Sequence, residues 1–130
     1  MTNRSHASSG SPFEATIGFS RAVRVGNRIL VSGTAPVEDD GSSTPGDAGA
    51  QADRCLAVIV RAIEELGGTA ADVVRTRQYL IDPADADPVG RAHGRVFGDI
   101  RPASTMVVVA ALLRPDWRVE IEAEAELDRA

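Results

Sequence analysis

Lysine is absent from the 130-residue chain, and all fourteen basic residues are arginine. Without it, the lysine that reaches nucleotide phosphates in a P-loop has no counterpart, and neither GXGXXG nor GXXXXGK occurs. Nucleotide hydrolysis by that route is excluded. Histidine is scarce too: His6 and His93 are the only two, and neither sits at ligand spacing with a cysteine or carboxylates, so no metal site is expected. The single Cys55 cannot close an intramolecular disulfide, and its place in a helical apolar pattern reads as a small buried hydrophobe. The longest apolar run, "MVVVAALL" from Met106 to Leu113, falls far short of the roughly 20 residues of a membrane-spanning helix. The N-terminus, "MTNRSHASSGSPFE", has no apolar segment of the kind a secretory signal carries, and a cytoplasmic protein is the expectation.

The net charge is −5, and the arginines are scattered along the chain. Nucleic-acid binding draws much of its affinity from neutralised phosphates, so this balance argues against it. Apolar residues make up 43% and charged residues 25%, the composition of one globular domain with a single core.

Residues 1–14 read as a flexible, polar, serine-rich arm, and 15–130 as the folded domain. "AVRV" and "RILVSG", separated by Gly26-Asn27, predict a β-hairpin with glycine at the first central position of the turn. After a polar loop the period becomes helical. Ala52, Cys55, Leu56, Ile59, Ala62, Ile63 and Leu66 share one face, and Gly67-Gly68 ends the helix. Thr69 and Asp72 form a capped turn before a third strand, Val73–Ile81, with Val74, Thr76, Gln78 and Leu80 on one side. Asp85 or Asp87 caps a second helix starting near Pro88, with Val89, Ala92, Val96 and Phe97 inward.

"TMVVVAALL" has no polar face and predicts a strand covered on both sides, by the second layer or by a partner subunit. "RVEIEAEAEL" alternates strictly, with Val119, Ile121, Ala123, Ala125 and Leu127 on one face and Glu120, Glu122, Glu124 and Glu126 on the other. The fold class is α+β: a single ββαβαββ domain whose sheet packs on two helices.

Candidate chemistry is thin when each residue is taken alone. Ser32, in "VSGT", can form a turn, or present a hydroxyl and backbone N–H groups to an anionic or carbonyl group. Four alternate glutamates are the pattern of a solvated strand face, yet Glu120 and Glu122 lie nearer the apolar strand, where a desolvated carboxylate can act as general acid or base. "RPAST", Arg101 to Thr105, is an ordinary strand start.

Taken together, "VGNRILVSGTAPV", "GGTAADVVRTRQYLID" and "RPASTMVVVAALLRPDWRVEIEAEA" resemble the YjgF/Rid family, also called endoribonuclease L-PSP, over about residues 15 to 127. The resemblance implies a chorismate-mutase-like domain, a homotrimer with clefts between subunits, and no metal or organic cofactor. It further implies hydrolytic deamination of imines, enamines or related carbonyl metabolites. By the same resemblance the water-handling carboxylate is Glu120, and the SG turn is Ser32 and Gly33. Phe19 stands where the best-known members have tyrosine, and Thr105 and Met106 line the cleft. Ser104 takes the place of the family's carboxylate-binding arginine, which argues against the 2-aminoacrylate activity of those members. Arg101, Arg91 and Arg21 are the substitutes weighed, with Arg101 preferred. A non-catalytic metabolite-binding or regulatory trimer is the alternative, and ribonuclease activity is the reading least supported by the charge.

Overall fold

The computed structural model describes residues 4–128. Strand β1 (Arg4–Ala7) is followed by a short helix α1 (Pro12–Ile17), then β2 (Ala22–Val25) and β3 (Arg28–Thr34). The hairpin between β2 and β3 turns through Gly26, whose φ of 59° suits the glycine-first tight turn expected there. Helix α2 (Ala48–Glu65) starts at Asp47, whose carboxylate accepts the Ala50 N–H at 2.9 Å. It stops where Gly67 adopts φ 94° and the Gly68 N–H reaches back to the Ile63 carbonyl at 3.0 Å. All seven residues of its predicted apolar face are buried.

A Thr69–Asp72 capping box leads into β4 (Val73–Leu80). A 3-10 turn at Pro83–Asp85 then precedes α3 (Ala86–Phe97), β5 (Ala103–Val108) and β6 (Val119–Glu126). The sheet order is β1-β2-β3-β6-β4-β5, with β4 and β5 parallel and the other neighbours antiparallel. The parallel pair needs a crossover, and α3 supplies it. Helices α2 and α3 cover one face, where Ile59, Ile63, Leu80, Phe97, Val119 and Ile121 form the middle of the core. From Ala22 onward the order is the expected ββαβαββ. No helix among the described residues is long and apolar enough to cross a membrane.

Four local expectations are corrected. The segment expected as an arm carries a strand and a helix from Arg4 onward; residues 1–3 lie outside the described ones. An edge strand needs only a free neighbour for its hydrogen bonds, which β2 provides, so it can be polar and bury Ala7 alone. In β4 a bulge between Val73 and Arg75 shifts the phase. Val73 is therefore buried in place of Val74, while Thr76, Gln78 and Leu80 point inward as expected. Helix α3 begins at Ala86 without a side-chain cap, because the Asp85 carboxylate is held by Arg118 at 3.0 and 3.1 Å. The apolar fourth run of the sequence pairs only as far as Val108, and as an edge strand it leaves Val107 and Val108 exposed.

Candidate functional site

The glutamates of β6 do not face water alone. Register places Glu120 beside Tyr79 and Glu122 beside Arg77 on the face away from the helices. Arg77 lies 3.5 Å from both Glu122 and Glu124, Arg28 lies 3.1 Å from Glu124, and the Tyr79 hydroxyl donates to Glu122. Glu120 is left without an ion-pair partner of this kind. It lines a cavity of about 270 Å³ together with Phe19, Arg21, Gly33, Trp117 and residues of α1. Burial pushes its carboxyl above the ordinary glutamate value of 4.5; nearby Arg21 opposes this and Glu122 adds to it.

The SG pair acts through backbone geometry. Pairing of β3 with β6 breaks register between Val31 and Thr34, so Ser32 and Gly33 form a bulge. The Ser32 hydroxyl donates to the Ser20 carbonyl at 2.7 Å and ties β3 to the start of β2. Gly33 faces Glu120 so closely that a Cβ there would overlap Oε2 of the carboxylate. Its carbonyl accepts from Arg21 Nη1 at 2.7 Å, and the same nitrogen reaches Thr34 Oγ1 at 3.1 Å.

Arg21 is buried, with its guanidinium 5.4 Å from the Phe19 ring centre. Its counter-ion is Glu14 of α1, 3.6 Å from Nε. That separation is long because Glu14 accepts shorter bonds from Ser8 Oγ at 2.8 Å, Ser9 N at 3.1 Å and Ser9 Oγ at 2.5 Å. Burial alone would raise the Glu14 carboxyl, but these serines and Arg21 outweigh it and hold the group below the usual range.

The remaining expected residues lie elsewhere in the chain. Ser104 sits on β5 opposite Thr76 and on the helix side of the sheet, the reverse of Glu120. It accepts from Thr76 Oγ1 at 2.8 Å and donates to Gln78 Oε1 at 3.2 Å, while Gln78 Nε2 donates to Thr76 at 3.0 Å and His93 Nε2 lies 2.7 Å from that same oxygen. This closed neutral ring explains how two buried polar side chains are satisfied. Desolvation holds His93 below its ordinary value of 6.5. Met106 shares that side, and Thr105 stands beside Arg77 on the other. One chain therefore brings Glu120, Phe19 and Gly33 together and leaves Ser104, Thr105 and Met106 on an edge strand beyond β4.

Arg101 follows α3, exposed, with φ 57°, the only non-glycine residue with positive φ among the described residues. Within one chain the arginine that shares the cavity with Glu120 and acts on its charge is Arg21, whereas Arg101 does not line that cavity. Adjacency in sequence favoured Arg101, but strand order carries the start of β2 to the cavity. Trp117 and Arg114 carry no site role in the sequence reading, because the sequence shows them only as loop residues before the last strand. Arg114 lies between the rings of Phe13 and Trp117, 5.9 and 5.2 Å from their centres, and closes one wall. No group of His, Cys, Asp and Glu that could hold a metal occurs among the described residues.

Comparison with known proteins gives a consistent result. The endoribonuclease L-PSP family matches over residues 10–127. An uncharacterized Streptomyces coelicolor protein is 39% identical, over 90% of this chain and 87% of its own. The 2-iminobutanoate/2-iminopropanoate deaminase of Escherichia coli is 33% identical, over 85% of this chain and 89% of its own. A crystal structure of a Mycobacterium tuberculosis member of the YjgF/YER057c/UK114 family superposes with a TM-score of 0.87 at 45% identity, covering 96% of this chain and all of the other.

Proposed function

The chain belongs to the endoribonuclease L-PSP family, the YjgF/Rid proteins, and from that premise we propose that it hydrolyses an imine, enamine or related carbonyl metabolite. The observation that carries the reading is Glu120: a half-buried carboxylate with a raised pKa, pressed against a glycine in a cavity that also holds a buried cation. Such a group can take a proton and return it.

As the oxygen of a water adds to the C=N carbon, Glu120 takes a proton from that water and passes it to the nitrogen. The carbinolamine then breaks its C–N bond. Glu120 takes the hydroxyl proton as the C=O forms and delivers it to the departing nitrogen, so the products are a carbonyl compound and ammonia. An enamine joins this route once its carbon gains a proton and its nitrogen loses one.

The reading includes a cytoplasmic homotrimer, with Ser104, Thr105 and Met106 of a second copy completing the cleft. Ammonia release from enamines generated in situ tests it. We expect release above the spontaneous rate, rising with pH through a value above 4.5, and a loss of roughly 10² to 10⁴-fold in Glu120→Gln. No release by the parent protein, or full activity in that variant, would overturn it.

One observation favours a second reading. Ser104 is locked in a neutral ring with Thr76, Gln78 and His93, a recognition surface without charge. A metabolite-binding trimer without turnover would keep that ring. Saturable binding without ammonia release identifies it.

A further inference from the structure

We infer that Ser104 is a specificity residue that can only accept, because Thr76, Gln78 and His93 hold its proton inside their ring, so that the ligand meets it with a neutral N–H or O–H and not with a carboxylate. This deepens the reading above and rests on it for placing a second copy's Ser104 in the cleft. A hydroxyl has one proton and accepts two bonds, an amide oxygen only accepts, and a neutral imidazole donates from one nitrogen alone. Gln78 Oε1, 3.2 Å from Ser104 Oγ, therefore takes the Ser104 proton. Thr76 must then supply the proton between its Oγ1 and Ser104 Oγ, 2.8 Å apart. With its own proton spent, Thr76 accepts from Gln78 Nε2 at 3.0 Å and from His93 at 2.7 Å, which makes Nε2 the protonated nitrogen of His93.

Turning the Gln78 amide over reverses the ring and leaves the count unchanged, since Ser104 still gives one proton and takes one. A His93 that accepted would instead draw off the Thr76 proton and leave two oxygens of the ring facing each other without one. His93 is thus a positioning residue for Ser104. Its imidazole lies against Phe97, with ring centres 4.8 Å apart, and burial favours its neutral form. Thr76 and Gln78 are buried, whereas Ser104 is exposed on the outermost strand β5. What Ser104 has left to offer a ligand is one acceptor position. A carboxylate or ester oxygen brought there would set lone pairs against a lone pair, while an N–H or O–H completes the hydroxyl.

The test is calorimetric binding of 3-methyl-2-oxobutanamide and of the matching methyl ester to the full chain, with nitrogen NMR of His93. Both probes are uncharged, and only the amide carries an N–H. We expect the wild type to bind the amide roughly tenfold more tightly than the ester, and its His93 to show the Nε2–H tautomer. Ser104→Ala should bind both alike. Gln78→Met frees the Ser104 proton for the ester and should narrow the preference at least threefold, an effect that mere packing would not direct at one probe. A wild type that binds the ester as well as the amide, or binds neither, overturns the inference even if Gln78→Met does not fold. So does an Nδ1–H tautomer, or a full amide preference kept in either variant. Ser104-dependent amide preference without ammonia release would sink the hydrolase reading and leave this one standing. Ammonia release with no amide preference would do the reverse.

Discussion

Gly33 and Glu120 constrain one another, and the constraint is steric before it is chemical. A methyl group on Gly33 would meet Oε2 of Glu120 inside van der Waals contact, while the carboxyl carbon stands 3.4 Å away. The bulge that Ser32 and Gly33 create gives the carboxylate its seat, so Gly33→Ala must swing Glu120 off its present position rather than unfold β3. We expect this variant to keep a melting temperature within a few degrees of the parent while ammonia release falls by roughly 10²-fold, the cost of about 1 Å of misplacement at a reacting centre. Activity at the parental level would show that Glu120 works from another position. The sequence made Ser32 the prominent member of this pair, because a hydroxyl announces chemistry. The structure gives its hydroxyl a tying role and leaves the functional constraint on the residue with no side chain.

At the scale of elements, α1 closes one wall of the cavity through a single buried carboxylate. Glu14 holds the serine turn and faces Arg21, and its folded-state pKa lies below 4.5. A lowered pKa means stability that is present above the unfolded value and is lost as pH falls through the folded one. Glu14→Gln should therefore cost roughly 1–3 kcal/mol at pH 7 and progressively less on acidification below pH 4, measured by thermal unfolding across that range. A cost independent of pH would mean that Glu14 acts through packing alone. Little of this was legible beforehand, because β1 and α1 lack an apolar period and owe their order to a free strand edge and to the bonds Glu14 makes with Ser8 and Ser9. By contrast α2 was legible from its apolar stripe and Gly67 stop, local signals that agree, and the structure adds the Asp47 cap. The same holds for the alternation of β6. What alternation concealed was the partner strand, since Arg77 and Tyr79 convert an acidic face into a paired one only once β4 lies beside β6.

For the whole molecule, the decisive fact is that β4 separates the two groups of family-aligned residues, and that Ser104 and Met106 face the helices while Glu120 and Thr105 face away from them. Glu120 faces away from the helices with Arg21 and Phe19 close by, whereas Ser104 faces them from the edge strand β5. In the proposed trimer, a second copy would bring its Ser104 to Glu120. That edge carries the surface to do so: Val107 is 42% exposed and Val108 49%, on a strand with a free row of backbone groups. A bare apolar edge invites pairing and aggregation in a monomer, and closed symmetry is the common way to cover it. We expect size-exclusion chromatography with light scattering to give three times the chain mass. Val107→Asp, which puts a charge on this face opposite Tyr79, should shift the protein toward monomer and abolish ammonia release without removing the core. A monomeric parent, or a monomeric variant that keeps its turnover, would place the complete site within one chain and leave Ser104 outside it.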